Sequence, residues 1–246
     1  IRSKSPCYIN GGILQNDPPP RCKYSALVGN YAFYGNIESY TYASSSSSTA
    51  YVYSPNSVRQ SKSDDPDSSP IQLNIDFPEE VTGIGAAGEK CIVGTKKGIY
   101  RIDGRYADDG SGIVIAEPLT KLVGCISHTS MVSVGNDLFF AGDDGFYMTD
   151  GVAVRKLSHG FDRTYRSLVT TSATDYAGTS LEIDYTKASK ITGVVDKKSQ
   201  RILWSFIDKA YCMEIRTGKF SIYGPWIVGD GSSDDFLALG TFDDKI

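Results

Sequence analysis

The sequence is poor in the residues and segments on which several common functions depend. It has only two histidines, His128 and His159, which excludes a multi-histidine metal site. No Cys-x-x-Cys pair occurs among its five cysteines, so zinc-ribbon and thioredoxin-like sites are excluded as well. No apolar run approaches the ~18 residues of a membrane span. The formal net charge of −4 does not favour sequence-independent binding of nucleic acid, which needs a basic surface.

What remains is an ordinary globular composition, with 40% hydrophobic and 22% charged residues in 246. A chain of this length can bury a sizeable core without disulfides. The odd number of cysteines leaves at least one unpaired in a monomer. The first residues contain no apolar segment typical of a signal peptide. The chain does not begin with Met and stops within a repeat, which predicts a processed form or a domain of a larger protein.

The clearest pattern is an internal repeat. Residues 81–104 (VTGIGAAGEKCIVGTKKGIYRIDG) align without a gap to residues 128–151 (HTSMVSVGNDLFFAGDDGFYMTDG), at an offset of 47 residues. Each block reads as three strands separated by Gly and Asp-Gly turns, which suit tight hairpins. Tyr100 and Tyr147 are therefore expected at equivalent places in adjacent units. Fourth strands are predicted at Gly112–Ala116 and Val152–Leu157.

Weaker copies of this unit occur on both sides of the strong pair. Residues 25–35 resemble the first half of a unit, residues 191–224 give four strands, and residues 238–246 begin another copy. Helical periodicity is nearly absent, although Phe161–Leu168 could hold one short turn. Four-stranded meanders at this spacing predict an all-β fold, a β-propeller of five blades with 3–4 antiparallel strands each. The predicted blades, forming one domain over 1–246, are 22–57, 80–118, 128–158, 191–224, and 233–246 completed by 6–14.

The two ends of the chain are expected to close the ring. Phe236–Ile246 supplies one or two strands of a blade, and Cys7–Ile13 reads as a further strand. An open propeller would leave strand edges unpaired, so both termini are predicted to share a blade. Polar insertions at 36–50, 54–70, 104–112 and 158–190 are predicted to be surface loops, either flexible or carrying contacts.

The candidate chemical motifs are weak, and no catalytic, cofactor-binding or metal-binding residue is assigned. GIGAAG at 83–88 matches G-x-G-x-x-G, but strand residues follow it where a dinucleotide site needs a helix. His128 aligns with Val81, which predicts the start of an inner strand, and His159 lies in a polar loop. No G-x-S-x-G nucleophile motif is present. A pair of channel carboxylates suited to glycoside hydrolysis remains an open alternative.

Acidic and aromatic residues carry further alternatives. Calcium-binding loops are weighed against solvated turns at three acidic clusters: Asp64-Asp65-x-Asp67, Asp143-Asp144 and Asp234-Asp235. The pairs Tyr40/Tyr42 and Tyr51/Tyr53 alternate, which suits protein contacts, sugar stacking or packing between sheets. Trp204 is expected in the core and Trp226 at an interface.

Residues 97–151 (KGIYRIDG…GCISHTSMVSVGNDLFFAGDDGFYMTDG) resemble the propeller-like region of tail tube, or nozzle, proteins of short-tailed bacteriophages and related prophages. The likeness extends over most of residues 17–160, through DPPPRCKYSALVGNYAFYG and VYSPNSVRQ, and is weaker beyond. The chain lacks the additional tube-forming domains of a complete subunit of that family.

This resemblance implies a structural, non-enzymatic protein without a cofactor. It implies a virion component made in the bacterial cytoplasm, which forms a homo-oligomeric ring and contacts other phage tail and adaptor proteins. DNA would pass through the assembly without specific binding, and no membrane span is involved. The alternatives are a host-surface or glycan-binding propeller, a polysaccharide hydrolase or lyase, and an unrelated cellular scaffold.

Overall fold

The fold is an all-β arrangement of four antiparallel sheets with almost no helix. A computed structural model describes residues 18–41, 50–70, 73–103, 114–159, 162–170, 183–206 and 209–223. Each sheet has four strands in consecutive order, so that every strand pairs with its neighbour along the chain. The predicted all-β class and the predicted four-stranded meanders are confirmed. The ends of the chain, and with them the predicted fifth blade and its closure, lie outside the described residues.

The first two sheets hold eight strands. The first contains β1 (Arg21–Val28), β2 (Tyr31–Thr41), β3 (Ala50–Gln60) and β4 (Asn74–Asp76). The second contains β5 (Val81–Ala87), β6 (Lys90–Thr95), β7 (Ile99–Asp103) and β8 (Ile115–Thr120).

The third and fourth sheets repeat this order. The third contains β9 (Val132–Val134), β10 (Asp137–Ala141), β11 (Phe146–Thr149) and β12 (Val154–Lys156). The helices α1 (Asp162–Val169) and α2 (Tyr185–Ala188) follow it. The fourth contains β13 (Thr192–Asp196), β14 (Arg201–Ser205), β15 (Ala210–Glu214) and β16 (Phe220–Tyr223).

Residues 47 positions apart in the repeat occupy equivalent positions in the strand register of the second and third sheets. Tyr100 on β7 pairs with Val93, and Tyr147 on β11 pairs with Phe140, which is the residue equivalent to Val93. The first hairpin of each unit turns at an equivalent glycine, Gly88 with φ +61° and Gly135 with φ +60°. Since glycine adopts this left-handed conformation without a steric penalty, these glycines fix the register of both hairpins. The predicted equivalence of the two tyrosines is confirmed.

The first strands of successive sheets lie side by side, in the order β1, β5, β9 and β13. This is the arrangement of a β-propeller, in which the first strands surround a central channel. Glycine allows the close approach: a Cβ on Gly85 would lie 2.9 Å from Leu138 Cδ1 of the next sheet. A Cβ on Gly193 would lie 2.5 Å from Val132 Cγ2. The GIGAAG segment is thus an inner strand packed against its neighbour, with no helix after it.

An aromatic core joins the third and fourth sheets. Phe146 stacks on Trp204 with ring centroids 4.3 Å apart, and Tyr165 of α1 meets Phe146 edge to face at 5.2 Å. Trp204 is fully buried, and its Nε1–H donates to the Ser130 carbonyl at 3.0 Å across the sheets. The predicted core position of Trp204 is confirmed, and α1 occupies the segment where one short turn was expected.

Expectations for two insertions and for His128 differ from the structure. The insertions 36–50 and 54–70 are not entirely surface loops, because β2 continues to Thr41 and buries Ile37, and β3 continues to Gln60 and buries Val58. His128 does not begin an inner strand: residues 128–130 form a 3₁₀ turn, and β9 starts only at Val132. The Ser130 hydroxyl donates to the Ser127 carbonyl at 2.7 Å and accepts from the Ala141 amide, which supports this turn without a strand ladder.

Candidate functional site

The strongest candidate site is a cavity of about 370 Å³ near the beginning of the first strands, where a propeller would have one end of its channel. The first three repeats contribute to it, together with the α2 segment that precedes the fourth sheet. The polar and aromatic lining residues used below are Lys23 and Tyr24 of β1, Glu80 and Lys96 of the second repeat, His128 of the third, and Tyr185 of α2. We call this site the channel-mouth cavity.

An ion pair crosses one wall of the cavity. Lys96 Nζ lies 2.6 Å from Glu80 Oε2, and the Asn36 amide donates to Glu80 Oε1 at 3.3 Å. Burial by itself would raise the pKa of Glu80, but the hydrogen bond and charge of Lys96 outweigh it and hold that pKa below its ordinary value. Lys96 Nζ also lies 4.9 Å from the centre of the Tyr185 ring, a cation–π distance. The pair is therefore fixed between two repeats and α2.

A second cationic group lies beside Tyr24. Lys23 Nζ is 5.4 Å from the centre of the Tyr24 ring. Partial burial by itself would lower the pKa of Lys23. The hydrogen bond to Tyr24 and the electrostatic effects of nearby groups, which include Glu80, outweigh burial, so the pKa is raised. Lys23 is thus an ammonium group at neutral pH, exposed at the rim of the cavity.

His128 lines the cavity and uses one of its ring nitrogens for the fold. The Ile84 amide donates to His128 Nδ1 at 3.2 Å, so the ring proton of the neutral form is on Nε2. Burial lowers the pKa of His128, which keeps the ring neutral at pH 7. The ring lies 5.0 Å from that of Tyr24, and its Cα lies 3.0 Å from where a Gly83 Cβ would be. Gly83 therefore provides the space that His128 occupies.

The hydroxyl groups of the lining bond to the backbone and not to His128. Thr82 Oγ1 donates to the Cys125 carbonyl at 2.6 Å, and both Ser127 and Thr129 donate to the Ile191 carbonyl, at 2.9 and 2.6 Å. These bonds join the second, third and fourth sheets. Within the described residues, the lining therefore brings together no Ser-His or Thr-His pair for nucleophilic catalysis.

The hydroxyl of Tyr185 is a further group of the lining. Burial, followed by the electrostatic effects of Asp143 and of other groups that include Glu80 and Glu79, raises the pKa of Tyr185 to about 12. The phenol consequently stays protonated and can donate a hydrogen bond. No partner for this hydroxyl is found in the described part of the chain.

The acidic clusters singled out in the sequence lie elsewhere. Asp64, at the loop after β3, accepts from the Asn30 side chain at 3.2 Å. Asp144 is paired with Lys156 at 2.8 Å, and the pKa of its neighbour Asp143 is raised by burial and then by the Asp144 charge. Among the described residues, no three His, Cys, Asp or Glu side chains form a group that could hold a metal. Asp234-Asp235 lies outside the described residues.

The remaining candidates do not form a site. His159 is exposed and is not part of the cavity lining. Tyr53 is 53% exposed and donates to Asn36 Oδ1, while the side chains of Tyr40, Tyr42 and Tyr51 lie outside the described residues, as does Trp226. Asp143, with its raised pKa, is not a lining residue, so the carboxylate-pair alternative gains no geometric support.

Sequence reasoning did not single out Lys23, Tyr24, Glu80 or Tyr185 as site residues. The repeat did contain a signal: the offset of 47 places Glu80 on Ser127, and both residues immediately precede the first strands or turns of their units. Segments that precede equivalent strands meet at one end of a channel. The helix α2 could not be anticipated in this way, because the long segment that contains it has no equivalent in the other repeats.

Comparison with known proteins gives distant structural likenesses only. No family model matches the chain, and no curated protein does. The N-terminal domain of Nup159 is 13% identical with a TM-score of 0.37, covering 85% of this chain and 53% of that one. HIRA(644-1017) is 8% identical with a TM-score of 0.35 (85% and 55% covered), and Kluyvelomyces marxianus Hsv2 is 10% identical with a TM-score of 0.32 (70% and 46% covered).

The chain thus spans about half the length of these three structures. A putative exported protein of Bacteroides fragilis is 9% identical with a TM-score of 0.34, with 82% of this chain and 70% of that one covered. At TM-scores below 0.5, these likenesses carry no argument about binding or activity. None of the helices in the described part of the chain has the length and apolar character needed to cross a bilayer. The four sheets and their adjacent first strands identify this chain as an all-β protein of the β-propeller class.

Proposed function

We propose that this chain is a non-catalytic structural subunit of a short-tailed bacteriophage tail, which acts through contacts with copies of itself and with neighbouring tail and adaptor proteins. The observation that supports the proposal is how the fold uses the residues that carry the family resemblance. In the G-I-Y-R and G-F-Y-M segments, Tyr100 and Tyr147 are buried third-strand residues at equivalent positions. A motif used for packing in this way suits a scaffold.

The Gly124-Cys125 step supports the same interpretation. Cys125 is fully buried, and its amide donates to the Thr95 carbonyl at 3.0 Å, which joins the second repeat to the third. A Cβ on Gly124 would lie 2.1 Å from the Lys96 carbonyl oxygen. The buried Cys125 thiol has its pKa raised to about 12 by burial, so it is not a reactive thiolate at neutral pH. The motif therefore holds two sheets together and supplies no nucleophile.

The proposal is tested on phage particles. Prophage induction of the source strain, followed by purification of particles and peptide mass spectrometry, should recover peptides of this chain in the particle fraction. Immunogold labelling with an antibody against the purified chain should then mark the tail. Recovery only from the host-cell fraction, with unlabelled particles, would contradict the proposal.

A host-surface or glycan-binding propeller is the second candidate. The channel-mouth cavity favours it, since a concave site with aromatic rings and unused donors is typical of ligand sites. For this alternative, we expect the purified chain to bind host-cell envelopes. This binding should be lost after enzymatic removal of the surface polysaccharide. Binding that survives this treatment would count against it.

A further inference from the structure

The channel-mouth cavity contains hydrogen-bond donors that the fold does not use. His128 gives Nδ1 to the Ile84 amide and keeps Nε2–H, for which the described residues provide no partner. The Tyr185 hydroxyl likewise has none among them. The Lys23 ammonium has three N–H donors, and its hydrogen bond to Tyr24 uses one of them. These three side chains of the lining therefore offer donors, which suits a ligand rich in oxygen acceptors.

The charged side chains of the lining leave a single positive excess, and Glu79 and Asp143, which act electrostatically on Tyr185, are not part of that lining. Lys23 and Lys96 contribute two ammonium groups, and Glu80 contributes one carboxylate. His128 is neutral, because burial lowers its pKa. Since Lys96 is already paired with Glu80 at 2.6 Å, the excess charge belongs to Lys23. Charge balance in a partly desolvated site consequently favours a ligand with one negative charge over a neutral or doubly charged one.

The size and walls of the cavity limit the ligand further. A volume of about 370 Å³ is at the small end of ligand pockets, large enough for a single ring with its substituents. The Tyr24 and Tyr185 rings are both part of the lining, and the Lys23 and His128 groups both border Tyr24. An acceptor-rich ring with one carboxylate fits this combination of aromatic surface, donors and charge.

We propose that the channel-mouth cavity binds a singly charged acidic sugar of the hexuronic acid class. The carboxylate lies against the Lys23 ammonium and the His128 Nε2–H, and the sugar hydroxyl oxygens accept from the Tyr185 hydroxyl. This site goes beyond the proposed structural role and is independent of it, because particle incorporation and sugar binding are measured separately. A chain that is present in tails and does not bind the sugar would overturn only the sugar site.

The direct test is a titration of the 246-residue chain with sodium D-glucuronate, followed by saturation-transfer NMR, with D-glucose as the uncharged control. Glucuronate should receive saturation, and glucose should bind at least about fivefold more weakly, the effect of one lost charge-assisted hydrogen bond at a partly exposed site. Equal binding of glucose would overturn the proposal. The proposal would also be overturned if neither sugar received saturation at concentrations up to ~20 mM. A dissociation constant of that size corresponds to a binding free energy of only about 2 kcal/mol.

Two variants locate the binding. Lys23→Gln should weaken glucuronate binding about fivefold, because it removes the excess charge. Lys97→Gln is the matched control: it removes an exposed lysine next to Lys96 that is not part of the lining, and it should leave binding unchanged. Tyr185→Phe removes one hydroxyl and should weaken binding about threefold, with an unchanged melting temperature. Equal effects of Lys23→Gln and Lys97→Gln would refute the assignment.

A further arm distinguishes the sugar from other carboxylates. Acetate should compete only weakly, since it lacks the ring oxygens. An acetylated, amidated Glu dipeptide should not displace glucuronate. Displacement by this peptide at lower concentration than by glucuronate itself would overturn the proposal in favour of an acidic protein segment.

Discussion

Removing the Phe146 side chain should weaken the junction between the third and fourth repeats more than any surface change. Phe146 is 0% exposed, and its ring lies 4.3 Å from that of Trp204 and 5.2 Å from that of Tyr165. Replacing a buried Phe by Ala costs about 3–5 kcal/mol, because transfer free energy is lost and a cavity remains. Since domains are stable by only about 5–15 kcal/mol, Phe146→Ala should lose a large part of the total.

The assay is urea unfolding followed by the fluorescence of Trp204, in a Trp226→Phe background that removes the other tryptophan. For a domain of this size, the expected loss corresponds to a melting temperature lower by about 6–20 °C. Phe146→Leu, which keeps most of the volume, should cost less than about 1.5 kcal/mol. Leu122→Ala is the surface control, since Leu122 is 89% exposed, and it should stay within about 0.5 kcal/mol.

A loss below about 1.5 kcal/mol for Phe146→Ala would refute the reasoning, because it would place that aromatic cluster outside the cooperative core. Equal losses for Phe146→Ala and Phe146→Leu would refute the cavity argument in particular. An unfolding curve that keeps its midpoint while Trp204 fluorescence changes would show that the ring contact has no energetic weight.

Three further predictions follow from the described contacts. Gly124→Ala should lower the free energy of unfolding by about 3 kcal/mol or more, since its Cβ would lie 2.1 Å from the Lys96 carbonyl oxygen. Gly29→Ala, which has open space around its Cβ but a φ of +58°, should cost only about 1–2 kcal/mol. Equal costs for the two variants in urea unfolding would contradict this prediction. Glu80→Gln should cost less than about 1 kcal/mol at pH 7. Because the pKa of Glu80 is lowered in the folded chain, that difference is present above the ordinary carboxyl pKa and should vanish as the pH falls through the folded value; a difference that persists in acid would refute the ion-pair explanation. NAD or ATP at millimolar concentration should leave the melting temperature unchanged, because residues 83–88 lie in and at the end of a packed inner strand, and a reproducible upward shift would reopen the dinucleotide interpretation.

The sequence by itself determined the repeated unit and its strand register. Alternating apolar residues and turn glycines act over a few residues, so Gly88 and Gly135 specify equivalent hairpins without help from distant parts of the chain. The same local logic placed Tyr100 and Tyr147 on equivalent strands. The strand within the insertion 54–70 could not be predicted, because its composition is polar and its burial depends on neighbouring segments of the chain.

The residues that line the channel-mouth cavity could be identified only from the tertiary structure. Lys23, Lys96 and Tyr185 are separated by more than 160 residues from first to last, and they line one cavity because the sheets pack side by side through their first strands. The neutral state of His128 likewise depends on burial and on the amide of Ile84, 44 residues away. A charge or a ring in the sequence does not reveal which other groups will face it, since those partners are set by how the sheets pack around a common centre.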